Sequence, residues 1–269
     1  SGLGCVLAII GIVVGLLQFT PTRPFRFKRI LSYVPYTGWM RWHYITGVVF
    51  GIFTLTWVFS GMLSMEPWFW SSRGGLGPGV RQALSGGDLD MALYPTIDAA
   101  VWERVLPGQT IKEIDFRRIQ GDPYFLVSGA GEKRTLVRAD SLQIVEDVFS
   151  TESLIDRVKD SYPQVGVLES QLLSEYDSYY YPRGELSPPL PVLRMKFDDP
   201  DKTWFYIDPN FGQLVGRYQR RQRLERWIYN GFHSLDFGFW YYNRPFWDIS
   251  VIVLSAGGIG TSVIGLFLG

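Results

Sequence analysis

Three long apolar runs constrain what this 269-residue chain can fold into. They cover residues 2–19, 44–65 and 249–268. A helix needs roughly 17–25 apolar residues to cross a bilayer, so the second and third runs are long enough and the first lies near the lower limit. We therefore expect three transmembrane helices whose apolar surfaces face the lipid bilayer.

The basic residues between the first two runs predict the orientation of the chain. Residues 1–65 contain no Asp or Glu, and the polar loop 20–42 carries five positive charges: Arg23, Arg26, Lys28, Arg29 and Arg41. Short loops rich in Lys and Arg remain on the cytoplasmic side of a membrane. Loop 20–42 is therefore predicted to be cytoplasmic, and the region after residue 65 is predicted to lie outside until the third run returns.

Composition narrows the possible functions. Lys plus Arg and Asp plus Glu both number 26, so the net charge gives no reason to expect nucleic acid as a partner. The single cysteine, Cys5, lies in an apolar run, so no disulfide framework is available. The chain begins without Met and ends inside an apolar run, which favours an internal segment of a longer protein.

The polar middle of the chain predicts an α+β domain built from a repeated pattern. Residues 71–90 are rich in Gly and Ser and indicate a linker. The first unit (91–148) has a helix-like stretch at 96–105 and strands at 110–119, 124–128 and 134–138. The second unit (150–218) has a helix-like stretch at 152–162 and strands near 192–197, 203–207 and 213–218.

The two predicted units resemble each other most at their last hairpins. TLVRADSLQIVEDV and WFYIDPNFGQLVGRY each combine a strand, an acidic turn and a second strand. In the second copy, DPNFG is a strong turn signal. We therefore predict two helix-plus-antiparallel-sheet units that pack together, with Phe125, Leu136, Trp204 and Tyr206 on their apolar faces.

The polar middle contains no catalytic motif. No histidine lies between Tyr44 and Phe232, no cysteine follows Cys5, and neither a phosphate-binding loop nor a nucleophile elbow is present. Scattered Asp and Glu residues in predicted turns are expected to be solvated, as surface carboxylates usually are. We predict no catalytic residue from this region.

One of the two histidines, His43, directly precedes the second apolar run. At about 100° per residue, His43 shares a helix face with Gly47, Phe50, Gly51, Thr54 and Gly61. The pair Gly47 and Gly51 permits close approach of another helix, which favours a packing seam. The same smooth strip is also compatible with a haem for which His43 is an axial ligand. Both interpretations remain open from the residues alone.

The other histidine, His233, lies in a predicted interfacial segment, residues 220–247. Leu224, Trp227, Ile228, Gly231 and Leu235 form one apolar face of a predicted surface helix, and His233 projects from the opposite side. An aromatic belt follows before the third run: Trp240, Tyr241, Tyr242, Phe246 and Trp247. His233 is either an interfacial side chain or a haem ligand.

The predicted topology separates the two histidines. His43 is expected near the cytoplasmic face and His233 near the outer face of a core about 30 Å thick. One haem therefore cannot bind both. If either binds haem, the second axial ligand comes from beyond this sequence or is not a histidine.

These features resemble the PepSY-associated transmembrane family. The run RWHYITGVVFGIFTLTWVFSGMLSMEPW is similar to its membrane signature, which has a basic residue and His followed by a Gly-rich helix ending in Trp-x-x-Ser/Thr-Gly. The segment KTWFYIDPNFGQLVGRYQRRQRLERWIYNGFHSLDF resembles a PepSY hairpin that leads to a Leu/Phe-His element. The resemblance covers residues 30–269.

The resemblance implies a fold and a location. It implies an α-helical membrane protein of the bacterial inner membrane, with two PepSY-like units in a periplasmic α+β domain. The predicted organisation is 1–70 for two transmembrane helices and the basic loop, 71–219 for the PepSY-like domain, 220–247 for the interfacial helix and aromatic belt, and 248–269 for the third helix.

The resemblance also implies a function. Some relatives are ferric-siderophore reductases with b-type haem on transmembrane histidines, which points to His43 and His233 as metal ligands. Gly47 and Gly51, on the strip beside His43, are the predicted cofactor contacts. The first hypothesis is therefore a haem-dependent membrane oxidoreductase that transfers electrons across the membrane. The second is a non-catalytic membrane subunit whose PepSY-like domain binds or shields a partner in a larger complex.

The topology yields the first testable prediction. In a Cys5→Ala background, a cysteine introduced by Ser32→Cys should react with a membrane-impermeant thiol reagent only after the membrane is permeabilised. A cysteine introduced by Ser141→Cys should react in intact spheroplasts. Labelling of the position-32 cysteine from outside would reverse the predicted orientation.

Overall fold

The computed structural model describes residues 2–20, 25–27, 30–65, 77–130, 134–146, 149–183 and 187–268. The chain divides into two compact units. The helical unit comprises Ser1–Ser71 and Arg221–Gly269, and the sheet unit comprises Ser72–Arg220. The division lies close to the predicted boundaries of the polar domain at residues 71 and 219.

The helices and strands follow one another along the chain in this order. The first four elements are α1 (Gly2–Leu17), β1 (Phe25–Phe27), β2 (Ile30–Ser32) and α2 (Gly38–Ser64). They are followed by α3 (Pro78–Ser85), a 3-10 turn (Met91–Leu93), α4 (Ala99–Val105), β3 (Ile111–Ile119), β4 (Asp122–Gly129), β5 (Arg134–Arg138) and α5 (Thr151–Asp160). The next strands are β6 (Val167–Leu173), β7 (Val192–Phe197), β8 (Trp204–Asp208) and β9 (Gln213–Tyr218). The last elements are α6 (Arg220–Glu225), a π-helix (Arg226–Gly231), α7 (Phe232–Ser234), α8 (Gly238–Tyr241) and α9 (Phe246–Leu268).

Two helices of the helical unit, α2 and α9, are long and apolar enough to cross a membrane. With 16 residues, α1 is shorter than that requirement. Two of the three predicted spans are therefore supported by helix length and composition, and the third is not confirmed. Both α1 and α9 pack against α2.

The second span begins earlier than the apolar run predicts. Helix α2 starts at Gly38, so Arg41 and His43 belong to its first turns rather than to the preceding loop. Part of that loop forms the short antiparallel pair β1–β2. Three of the basic residues used for the topology prediction, Arg23, Lys28 and Arg29, lie outside the described residues.

Hydroxyl groups inside α2 are satisfied by the helix itself. Thr46 donates to the carbonyl of Trp42 at 2.9 Å, and Thr54 donates to that of Phe50 at 3.1 Å. A hydroxyl that bonds to the carbonyl one turn earlier does not need water. These polar residues are therefore compatible with a helix surrounded by apolar groups.

The sheet unit contains two antiparallel sheets, as the sequence predicts. Their strand orders are β3-β4-β5 and β6-β7-β8-β9. Of the predicted apolar-face residues, Phe125, Leu136 and Tyr206 are buried, whereas Trp204 is half-buried. The resemblance of these sheets to PepSY units stays a prediction.

The two sheets have corresponding connections and irregularities. Each follows a helix, α4 or α5, and each places consecutive strands side by side. The first strand of each sheet has a register shift near its start, between Ile111 and Glu113 in β3 and between Val167 and Glu169 in β6. After β5, the counterpart of β9 is reduced to a single bridge from Ile144. The repeated pattern is therefore visible in the strand order as well as in the sequence.

Two elements differ from the sequence predictions. The predicted linker 71–90 contains helix α3, whose Val80 and Leu84 are buried in the core beside Leu154 and Val158 of α5. Pro78 starts this helix, a position where its missing N–H costs nothing. Residues 71–76 lie outside the described residues. Strand β6 was not predicted because VLESQLL lacks a clear apolar alternation, and Leu168 and Leu172 are exposed.

A polar network joins β7 and β8 to the loop before β7. The carboxylate of Asp177 accepts hydrogen bonds from the backbone N–H groups of Tyr179 and Tyr180, both at 2.8 Å. It also accepts one from the Tyr206 hydroxyl at 2.8 Å and one from Arg194 at 2.7 Å. Burial alone would raise the pKa of Asp177, but these donors outweigh it and lower the pKa below its ordinary value.

The lowered pKa predicts how this network contributes to stability. Because the folded-state pKa lies below the unfolded value, the contribution is fully present above about pH 4 and is lost as pH falls through the folded pKa. Asp177→Asn should lower the stability of the sheet unit at neutral pH by about 1.5–3 kcal/mol, since charge-assisted hydrogen bonds are lost.

This loss of stability can be measured by hydrogen exchange in the full-length protein under increasing urea, followed in peptides from β7 and β8. The loss should shrink as the pH is lowered through the folded-state pKa of Asp177, which lies below the ordinary value. The exposed Glu113→Gln provides the control. Equal effects of the two substitutions at neutral pH would contradict the prediction.

Candidate functional site

The helical unit contains a cavity of about 350 Å³ beside α2. Helices α1 and α2 form most of its walls, and α9 contributes one residue. Its lining residues are Ala8, Gly11, Ile12, Val14, Gly15, Gln18, Tyr36, Met40, His43, Tyr44, Gly47, Val48, Gly51, Thr54 and Thr261. The volume lies within the range of about 300–1,000 Å³ that is usual for small-molecule and cofactor sites.

The strip predicted on α2 lines this cavity. His43, Gly47, Gly51 and Thr54 all contribute to its wall. A Cβ atom at Gly47 would meet nothing within 4 Å, whereas one at Gly51 would lie 3.2 Å from Ile12 of α1. The two glycines therefore have different roles: Gly51 permits the approach of α1, and Gly47 leaves open space.

The ring of His43 lies against α9. A Cβ atom added to Gly265 would stand 3.1 Å from Cε1 of His43. The Nδ1 atom of His43 is buried and has no hydrogen-bond partner among the described residues. Such an unpaired buried polar atom costs roughly 1–3 kcal/mol.

The polar end of the cavity is held by two tyrosines. The Tyr36 hydroxyl donates to the side-chain oxygen of Gln18 at 2.6 Å, and the Tyr44 hydroxyl donates to the Gly15 carbonyl at 2.6 Å. Their rings lie 5.9 Å apart. These contacts connect the end of α1 to the start of α2 and give an otherwise apolar cavity a polar edge.

Small residues of α9 allow it to approach α2. A Cβ atom added to Gly257 would lie 2.4 Å from the Phe50 ring, closer than real atoms come. The predicted face that joined Phe50 to His43 is therefore divided, because Phe50 packs into α9 while Gly47 and Gly51 line the cavity. Thr261 of α9 donates to the Gly257 carbonyl at 2.9 Å and also lines the cavity.

The second histidine contacts the opposite end of α2. Nδ1 of His233 lies 3.0 Å from Oγ of Ser60, a fully buried residue near the end of that helix. The ring of His233 stacks on Tyr229 with centroids 4.9 Å apart and an angle of 11° between planes. Ser60 occupies the Ser position of the Trp-x-x-Ser-Gly motif, but its contact with His233 was not predicted from the sequence.

The backbone before His233 departs from the predicted surface helix. Residues Arg226–Gly231 form a π-helix instead of continuing the α-helix, which changes the faces on which the following side chains lie. Gly231 and Leu235 of the predicted apolar face are buried, but Leu224 is exposed. The face assignment made at a constant helical period was therefore incorrect at this point.

A buried ion pair anchors the same segment. Arg226 and Asp236 are only 7% and 1% exposed. The Arg226 guanidinium donates to the Asp236 carbonyl at 2.9 Å and to its carboxylate at 3.3 Å. Trp247 of α9 donates to the carbonyl of Ser234 at 3.0 Å. His233 therefore lies on a short helix that is fixed on both sides.

The two histidines are far apart within the helical unit. Ser60, the contact of His233, lies about 25 Å from His43 along the axis of α2, at roughly 1.5 Å per residue. This agrees with the expectation that one haem iron cannot bind both. The structure thus brings together His43, Gly47 and Gly51, and it places His233 at a separate position.

The ligand types available near these positions limit the metal chemistry. Within the described parts of the chain, no three His, Cys, Asp or Glu side chains come together as a metal site. A porphyrin supplies four nitrogen ligands itself and needs only one or two from the protein. A lone imidazole beside a smooth cavity fits a haem better than a bare ion, which needs several side-chain ligands.

Comparisons of the chain with protein-family models, with curated proteins and with solved structures find no match.

The approach of α9 to α2 gives a prediction about packing. Gly257→Ala should destabilise the helical unit by about 1–3 kcal/mol, because the new methyl group forces the Phe50 ring to move. The matched control is Gly260→Ala on the same helix, where a Cβ atom meets nothing within 4 Å. Thermal unfolding in detergent should separate the two variants, and equal melting temperatures would show that Phe50 does not pack there.

Proposed function

We propose that this protein is a haem-linked electron-transfer protein of a bacterial inner membrane, of the iron- or siderophore-reductase type. The cavity beside α2 carries the proposal. It combines an imidazole, whose buried Nδ1 has no hydrogen-bond partner in the described part of the chain, with a strip formed by Gly47 and Gly51. A flat, apolar macrocycle needs such a surface together with at least one axial ligand.

Residues of this chain would have distinct roles toward haem b. His43 would supply an axial nitrogen, and Gly47 would leave room for the macrocycle. Tyr36, Gln18 and Tyr44 form the polar edge at which a charged substituent could be solvated. Bound haem would supply reversible one-electron chemistry. His233 would serve a separate iron, because its distance from His43 excludes a shared one.

Two apolar helices are consistent with the membrane location that this function requires. Helices α2 and α9 are compatible with a membrane, and both carry many exposed apolar side chains. The basic loop before α2 favours a cytoplasmic location for that loop and a periplasmic location for the sheet unit.

A non-catalytic role in a larger complex is the alternative, and β6 favours it. This strand lies at the edge of its sheet and exposes Leu168 and Leu172, at 62% and 48%. Edge strands with exposed apolar side chains are common sites of strand addition by a partner. In this reading, the sheet unit binds another subunit and the cavity beside α2 receives a neighbouring helix.

An absorption spectrum of the purified full-length protein distinguishes the two functions. The electron-transfer function requires a low-spin haem spectrum that changes on reduction. His43→Leu should remove at least one haem from this spectrum, because the axial nitrogen is lost, while the sheet unit remains folded by circular dichroism. Trp42→Leu is the neighbouring control, since Trp42 is 59% exposed. A haem-free wild-type protein would favour the partner-binding role.

A second experiment tests the cavity without removing a ligand. Gly47→Leu should fill open space and reduce the haem content by at least about tenfold, because several kcal/mol of steric overlap would oppose the macrocycle. Gly260→Leu adds the same side chain to α9 at a position that also has open space. Unchanged haem content in the Gly47 variant would place the cofactor elsewhere.

A further inference from the structure

We infer that Ser60 is the positioning residue that fixes the tautomer of His233 and leaves Nε2 as the metal-binding nitrogen. The inference rests on the proposed function in one respect, namely that iron is the group that Nε2 binds. The tautomer itself follows from the contacts of the Ser60 hydroxyl.

The Ser60 hydroxyl has one hydrogen and three neighbours. Its Oγ lies 2.7 Å from the carbonyl oxygen of Thr56, 3.1 Å from that of Trp57 and 3.0 Å from Nδ1 of His233. The two carbonyl oxygens can only accept. At 2.7 Å, the Thr56 contact has the usual length of an O–H···O hydrogen bond, and without a hydrogen it would be repulsive.

The hydrogen of Ser60 is therefore directed to the helix backbone, and Oγ has only lone pairs left for His233. Nδ1 of His233 must then be the donor. In a neutral imidazole only one ring nitrogen carries hydrogen, so Nε2 retains its lone pair. Among the residues that the structure describes, none donates a hydrogen bond to Nε2.

The surroundings of His233 hold the ring in this orientation. Tyr229 covers one face of the imidazole. The Arg226–Asp236 pair and the Trp247 hydrogen bond to Ser234 fix the backbone on either side. A histidine whose second nitrogen donates to a fixed acceptor is the usual arrangement of a metal ligand, because the hydrogen bond sets the ring orientation and raises the basicity of the ligating nitrogen.

The two histidines therefore differ in the hydrogen bonds that would orient them as metal ligands. His233 has an acceptor for one nitrogen and a free lone pair on the other. The buried Nδ1 of His43 has no such partner among the residues that the structure describes. The difference assigns a role to the serine of the Trp-x-x-Ser-Gly motif: it acts on an imidazole that is 173 residues away in the sequence.

Nitrogen NMR tests the assignment directly. The full-length protein is labelled with ¹⁵N-histidine, prepared without haem in lipid nanodiscs and measured at about pH 8, above the ordinary histidine pKa of about 6.5. The wild-type spectrum should show hydrogen on Nδ1 of His233. Ser60→Ala should shift the tautomer ratio about fivefold toward hydrogen on Nε2, as expected for one lost hydrogen bond. Ser60→Thr keeps the hydroxyl and should keep the wild-type ratio.

The outcomes separate this inference from the proposed function. Hydrogen on Nε2 in the wild-type protein, or an unchanged ratio in Ser60→Ala, would overturn the role of Ser60. If Ser60→Ala fails to fold, the wild-type and threonine spectra still decide the tautomer. Haem is then added to the same preparations. Failure to bind it would refute the proposed function and leave the Ser60 assignment standing, whereas binding with a reduction potential altered only in Ser60→Ala would support both.

Discussion

Close packing against α2 is the constraint on which the helical unit depends. Lipid offers apolar side chains no hydrophobic gain from associating, so helices within it are stabilised chiefly by close contact. Glycines make this contact possible here. Gly51 admits Ile12 of α1, and Gly257 admits Phe50 from α2. The cavity beside α2 is what remains between these contacts.

The sequence predicted the elements whose signals are local. The lengths of the apolar runs identified α2 and α9. The turn residues DPNFG identified the β8–β9 hairpin, and β9 has the predicted bounds, residues 213–218. Helix α3 was missed because Gly and Ser on both sides obscured an eight-residue helix whose stability comes from burial of Val80 and Leu84. Tertiary packing, not intrinsic propensity, stabilises such a short helix.

The candidate site was predicted only in part for a similar reason. Helical periodicity was sufficient to place His43, Gly47 and Gly51 on one strip, because α2 is regular. It failed for His233, since the π-helix changes the period just before that residue. The contact with Ser60 joins two elements that are distant in the chain, and no local pattern contains that information. The serine was visible in a motif, but its partner was not.

The contact between His43 and Gly265 links the choice of residue at two positions. Because a Cβ atom at 265 would lie 3.1 Å from Cε1 of His43, a side chain there requires the imidazole to shift by a few tenths of an ångström, which restricts the residues that fit at position 265. A smaller residue at 43 would remove that restriction. In an evolving lineage, loss of the histidine would therefore relax the packing at position 265, and larger side chains should become more common there. The size of the residue at position 265 should therefore correlate with the presence of histidine at position 43.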